Sequence, residues 1–322
     1  MKKTIVAIIS YIILIIIMSI LVMTFGNKND KIVKGDKKLI VATLFPEYDF
    51  AKHIVQDKMD VKLLVKSGVE THNFEPTAKD MIMILDKSDA FLYTGDELEP
   101  WTSGIVKNLE EASKKVINTS KDVKLIKTEE FEEKHINSEI AYDKKEHEDD
   151  EIYDEHIWLS MNNALKMIDT ILKEIIEIDP TNKDYYVKNA EDYKTEILKL
   201  KKEYEKLIAD SNRKEIAVGG EFAYAYLVEE LGLNFVSVYD NCGEGEDPSL
   251  ARIKSVIDYV NSNNIPVIYY EELSEGTVAK MISEETNAES LVLYSVHNAD
   301  IDKDTYVSLM KENYKNLEKG LK

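Results

Sequence analysis

The chain has 322 residues, a formal net charge of −20 and 44% hydrophobic residues. That is apolar enough to fold and long enough for two domains, not one small core. The charge excludes nucleic acid as a partner, because phosphates would be repelled and no basic patch interrupts the pattern.

Lys2 and Lys3 precede an uncharged run from Thr4 to Gly26, rich in Ile, Leu, Val and Met. At about 1.5 Å per residue the run covers a hydrocarbon layer of roughly 30 Å. The basic flank predicts a cytoplasmic start and an exported remainder. No small-x-small cleavage site follows, and no cysteine near its end offers a lipid attachment. An uncleaved anchor is therefore expected, with a cleaved signal peptide as the rival. Residues 1–37 become membrane segment and tether, and the remainder is extracytoplasmic: held at the cell surface, or secreted if the segment is cut. The single cysteine, Cys242, excludes an internal disulfide. In its turn-rich loop it is read as incidental, with a soft metal ligand as the alternative.

From Leu39 the chain alternates β-branched runs with helical periods. Strands are predicted over Leu39–Leu44, Val61–Val65, Ala90–Thr94 and Lys115–Asn118, with helices over Tyr48–Gln56, Lys79–Lys87 and Trp101–Ser113. The rhythm returns with strands at Glu215–Val218, Asn234–Val238, Val267–Tyr270 and Ser290–Tyr294. Helices around Ala223–Glu230, Pro248–Asn261 and Thr277–Thr286 separate them, and Asp304–Leu321 closes as a helix. The fold class is α/β. An N-terminal lobe (38–160) and a C-terminal lobe (211–322) each hold a mostly parallel sheet flanked by helices. Ligands of such sheets gather at the carboxyl ends of strands.

A helical region, 161–210, lies between the lobes. Its only breaker is Asp179-Pro180, read as a cap and first-turn proline. Beyond it Tyr186, Ala190, Tyr193, Ile197, Leu200, Tyr204 and Leu207 keep to one stripe. This predicts a rod of roughly 42 Å that spans both lobes and limits their motion. An isolated dimerising coiled coil is the competing reading; we read the protein as a monomer.

Three of the six histidines stand in well-framed positions: His72 in Thr-His-Asn-Phe-Glu-Pro, His156 in Asp-Glu-His-Ile-Trp-Leu-Ser, and His297 in Tyr-Ser-Val-His-Asn. His72 and His297 follow strands, His156 precedes a helix, and Glu221 follows Val218-Gly-Gly, two glycines read as allowing a sharp bend. Three imidazoles and one carboxylate suit zinc, which accepts N and O ligands in tetrahedral arrays. The segment 128–155 holds 13 acidic residues against three lysines, along with His135 and His147. On composition it is a solvated, disordered loop. It could also concentrate cations weakly.

The stretches Ser67-Gly-Val-Glu-Thr-His-Asn-Phe-Glu-Pro-Thr and Ala90-Phe-Leu-Tyr-Thr-Gly-Asp-Glu-Leu-Glu-Pro-Trp resemble the extracellular solute-binding proteins of zinc and manganese ABC importers. So do Asp154-Glu-His-Ile-Trp-Leu-Ser, Phe222-Ala-Tyr-Ala-Tyr-Leu with Leu231-Gly-Leu, and Thr305-Tyr-Val-Ser-Leu-Met. The resemblance implies two lobes joined by a long rigid helix, with one metal ion in the cleft between them. It carries the family's ligands onto His72, His156, Glu221 and His297, with Asn298 and Asp300 as alternatives for the fourth. It also likens the acidic segment, with His135 and His147, to the metal-gathering loop of zinc members.

The function expected is capture of a divalent ion, Zn2+ with Mn2+ as the alternative, and its delivery to a membrane permease driven by an ATPase. Affinity should weaken as imidazoles protonate near pH 6.5. A surface adhesin with a structural metal is a second class. A metal hydrolase is least favoured: His147-Glu-Asp-Asp-Glu lacks the second histidine of a zinc helix, and no nucleophile elbow or phosphate loop is present. The protein is therefore read as a binding protein and not an enzyme.

Overall fold

The computed structural model describes residues 37–69, 74–96, 99–135, 152–239 and 248–322. The apolar run 4–26, Cys242 and most of the acidic segment lie outside them. Among the described residues no helix is long and apolar enough to cross a membrane.

Two four-stranded parallel sheets form the two lobes. β1 (Leu39–Ala42), β2 (Asp60–Leu63), β3 (Ala90–Tyr93) and β4 (Lys115–Asn118) lie in the order β2-β1-β3-β4. β5 (Glu215–Val218), β6 (Asn234–Ser237), β7 (Val267–Tyr270) and β8 (Glu289–Val292) repeat that order as β6-β5-β7-β8. Ile40 sits between Val61 and Ala90 in the first register, and Ala217 between Val236 and Ile268 in the second. Ala90–Tyr93 is buried throughout, which is why it reads as an unbroken apolar run. In each sheet the order reverses beside the first strand, and at such reversals the loops diverge and leave a crevice.

The helices follow the predicted rhythm, with shifted ends. α1 (Phe45–Val55) starts a turn earlier than expected, with Pro46 in its first turn, where the missing N–H costs nothing. α2 (Ala78–Ile82) opens on a Thr77–Asp80 capping box and runs into a π-helical turn at Met83–Lys87. α3 (Ser103–Glu111) follows a 3-10 turn at Pro100–Thr102. β8 stops short of the expected Tyr294 because side chains take over its backbone groups: Asn313 accepts from Tyr294 N at 2.7 Å, and Tyr224 donates to Leu293 O at 2.5 Å.

Part of the acidic segment is folded, against the expectation of a disordered loop. Thr128–His135 forms a helix, α4, whose Phe131 is buried and stacks on Phe222 and Phe235 at 6.0 and 5.5 Å. One buried aromatic outweighs the solvation of the surrounding glutamates. A β-bridge between Lys127 and Tyr153 pins the two ends of the segment together, just before His156.

α5 (Met161–Ile178) and α6 (Lys183–Asp210) are separated by a 3-10 turn at Pro180–Asn182. At the boundary, Asp179 accepts from the Asn182 amide and the Tyr186 hydroxyl, each at 2.7 Å. All seven stripe residues of α6 are buried, against the rest of this chain. Near its start Asn189 donates to Ile54 O at 3.0 Å and Tyr193 to Asp49 Oδ2 at 2.5 Å; near its end Tyr204 donates to Met310 O at 2.6 Å. The rod thus grips α1 of the first lobe and the closing helix of the second. The second lobe is completed by α7 (Ala225–Leu231), α8 (Leu250–Ser262), α9 (Thr277–Glu285) and α10 (Tyr306–Leu321). Gly232, with φ of 62°, ends α7 in the left-handed conformation that glycine favours.

At the carboxyl end of the first sheet two carboxylates are buried together. Glu47 accepts from the Thr94 and Thr119 hydroxyls at 2.8 and 3.2 Å; Glu99 accepts from the Thr43 hydroxyl at 2.9 Å and from Thr94 N at 2.5 Å. Each keeps one buried oxygen, Glu47 Oε2 and Glu99 Oε1, without a hydrogen bond. Burial pushes Glu47 up to about 7 and, with the charge of Glu47 added, Glu99 up to about 8.

Candidate metal centre

His156 enters the site on the loop between the Lys127–Tyr153 bridge and a 3-10 turn at Ile157–Leu159. It is 1% exposed. Asp154 Oδ1 accepts from its backbone N at 2.9 Å and lies 3.3 Å from its Nδ1, so the ring is aimed by a carboxylate two residues upstream. Its Nε2 is buried without a hydrogen bond, 3.8 Å from Glu155 Oε1. Burial opposes a charged imidazole, yet the carboxylates of Asp154, Glu155 and Glu272 together raise its affinity for a proton above the ordinary value. A field that attracts a proton also attracts a divalent cation.

His297, 5% exposed, comes from the other lobe. Its ring centroid is 5.9 Å from that of His156. Its Nδ1 lies 2.6 Å from Ser295 Oγ, and Ser295 is held by Glu272, which accepts from Ser295 N at 2.8 Å and from Ser295 Oγ at 3.0 Å. Between them stands Val296 with φ of 63°. A β-branched residue there costs of order 1–3 kcal/mol and persists only where surrounding contacts hold it. Trp158 joins the two histidine loops: its indole donates to Ser295 O at 2.8 Å and its ring packs edge-on against His156.

Glu221 stands at the exit of β5 beside Glu271, which burial and the Glu221 charge push above the usual carboxylate range. The chain does bend at the two preceding glycines, Gly219 and Gly220, although neither has a positive φ. They serve close approach: a Cβ on Gly219 would fall 2.8 Å from the Ala279 backbone, and one on Gly220 would fall 2.0 Å from Glu271 Oε2. Asp300 spends its oxygens on Lys303 Nζ, at 2.5 Å, and Asp302 N, at 3.1 Å, in a turn where its side chain is 40% exposed. Asn298 is engaged by the opposite lobe: its oxygen accepts from Gly68 N at 2.7 Å, and its nitrogen donates to Lys66 O and Val69 O at 3.3 and 3.1 Å.

His72 and His147 lie outside the described residues, as does the side chain of His135 at the end of α4. Among the described residues no three His, Cys, Asp or Glu side chains gather closely enough to hold a metal ion. What the structure brings together is His156 and His297. Sequence reasoning missed Glu272, although it lies two residues beyond the end of β7 and the strand-exit rule applied to His72 and His297 points to it as well.

Residues 40–320 match the family model described as zinc-uptake complex component A, periplasmic. The high-affinity zinc uptake system protein ZnuA of Bacillus subtilis is 33% identical over 309 residues, 94% of each chain. The zinc-binding lipoprotein AdcA of Streptococcus pneumoniae is 31% identical over 291 residues, and the chain spans 56% of that protein's length and 88% of its own. The crystal structure of the Zn(II)-bound ZnuA-like domain of Streptococcus pneumoniae AdcA superposes with a TM-score of 0.72 at 27% identity, covering 88% of this chain and 99% of that one.

Proposed function

The chain belongs to the family of periplasmic zinc-uptake complex component A proteins, and from that premise we propose that it captures Zn2+ outside the cytoplasmic membrane for an ABC permease and its ATPase. The ion is cargo: it is bound, carried and released, with no chemical step performed on it. We assign His156 and His297 as ligands, one from each lobe, with His72 and Glu221 completing the set on the family resemblance, Glu221 standing apart from the two imidazoles in this structure. The observation that carries this reading is the paired imidazoles, 5.9 Å apart, each with Nδ1 against a protein oxygen. Ligating histidines have this arrangement, because the outer hydrogen bond sets the tautomer and orients the ring. Imidazole favours zinc over manganese, which prefers oxygen. The protein acts as a monomer tethered by residues 1–37.

Elemental analysis after competition between equal zinc and manganese tests the metal: zinc is retained, and retention of manganese refutes the reading. Titration calorimetry tests the ligands. His156→Ala and His297→Ala each lower zinc affinity by about 100-fold or more, beyond the 10- to 100-fold typical of outer-shell partners. Unchanged affinity in both variants would remove the site from this cleft.

A further inference from the structure

We propose that Glu272 is a positioning residue of the metal site, acting through Ser295 to hold His297 as the Nδ1–H tautomer, so that Nε2 carries the lone pair offered to zinc. The proposal rests on the reading of His297 as a ligand and adds a residue outside the proposed ligand set. The argument is a count of hydrogens. Both oxygens of the Glu272 carboxylate face donors of Ser295, Oε2 its backbone N–H at 2.8 Å and Oε1 its hydroxyl at 3.0 Å. Burial raises the Glu272 carboxyl above its ordinary value; in its ionised form it only accepts, and the single hydroxyl hydrogen of Ser295 then goes to Glu272. At its 2.6 Å contact with His297 Nδ1, Ser295 Oγ must then accept, and the hydrogen between them belongs to the imidazole. A neutral ring protonated on Nδ1 has its lone pair on Nε2.

Two further observations agree with this count. Val296, held at φ of 63°, is the strained residue that lets Ser295 and His297, two apart, turn their side chains toward each other. Across the cleft His156 repeats the arrangement with a different partner, its Nδ1 beside the acceptor-only carboxylate of Asp154 at 3.3 Å. The two lobes thus preset the same nitrogen by independent means. The Glu272 relay is the longer one, with a hydroxyl between carboxylate and ring.

The test uses the full chain labelled with 15N in histidine, the His297 signals being assigned by their loss in His297→Gln. Long-range 1H–15N spectra at neutral pH show His297 protonated on Nδ1 in the parent protein. In Glu272→Ala and Ser295→Ala they show population of the Nε2–H form, and zinc affinity measured against a competing chelator falls by about 10- to 100-fold, the range for outer-shell partners of a ligating histidine. Ser295→Ala keeps the proposal testable if Glu272→Ala does not fold. A His297 protonated on Nε2 in the parent protein overturns the proposal, as does an unchanged tautomer in Ser295→Ala. If instead His297→Gln leaves zinc affinity intact, it is the assignment of His297 as a ligand that fails.

Discussion

The Glu47–Glu99 pair shows how a single buried group sets a property of the whole chain. In the unfolded chain both carboxyls lose their protons near 4.5, whereas in the folded protein they hold them up to about 7 and about 8. Between those limits the folded state binds more protons, so stability is full below about 4.5, declines as pH rises, and this contribution is gone above about 8. The slope approaches about 1.4 kcal/mol per pH unit for each proton retained. Urea midpoints at pH 5.5 and 8.5 check this: the midpoint is lower at pH 8.5, and Glu99→Gln, which removes one charge and keeps the shape, narrows the difference. An equal drop in the variant would assign the effect to other groups. Glu99 lies in one of the stretches that carry the family resemblance, but nothing in the sequence marks its pairing with Glu47, because their partners Thr43, Thr94 and Thr119 come from three different strand ends. Val296 is hidden for a similar reason, since positive φ in a valine is imposed by tertiary contacts and opposes local preference.

Among the elements, α6 was the most legible, because a 3.6-residue period sustained over 28 residues leaves few alternatives. Its stripe is used within the chain. Ile197→Ala should therefore destabilise the monomer by about 2–5 kcal/mol, whereas Leu198→Ala, at a neighbouring position that is 45% exposed, should change it by less than about 0.5 kcal/mol. A denaturation midpoint that depends on protein concentration would favour a coiled-coil dimer instead. The helix α4 was obscured by its composition: four glutamates in eight residues read as solvated chain, and Phe131 alone reverses that by finding Phe222 and Phe235. The acidic segment therefore divides. Deleting 136–151 should leave one tight zinc per chain and remove only weak additional binding, measured by calorimetry. A deletion starting at Glu129 takes out Phe131 as well and lowers thermal stability. Loss of the tight zinc in the shorter deletion would give the segment a direct part in the site.

At the scale of the molecule, the βα alternation announced two parallel sheets, and the strand-exit rule pointed to His297, whereas His156 was read only as a loop residue before a helix. The rule places residues in a region and says nothing about orientation. That is why Asn298 and Asp300 stayed open as alternatives to His297, while the structure distinguishes an imidazole facing His156, an amide reaching across to the other lobe, and a carboxylate turned to Lys303.

That amide has a temporal meaning. Asn298 adjoins His297 and holds residues 66–69, the stretch from which the chain runs on to His72, through three hydrogen bonds to a segment some 230 positions away. Any motion that draws the 297 loop back to free an ion also breaks those bonds, so their cost falls on departure and not on arrival. On the proposal that His297 is a ligand, Asn298 would then act as a timer on the cargo. Asn298→Ala should shorten the residence time of bound zinc, followed by stopped-flow transfer to a chelator, while the rate of capture stays the same. If capture slows and release does not, the amide serves to build the cleft and keeps no time.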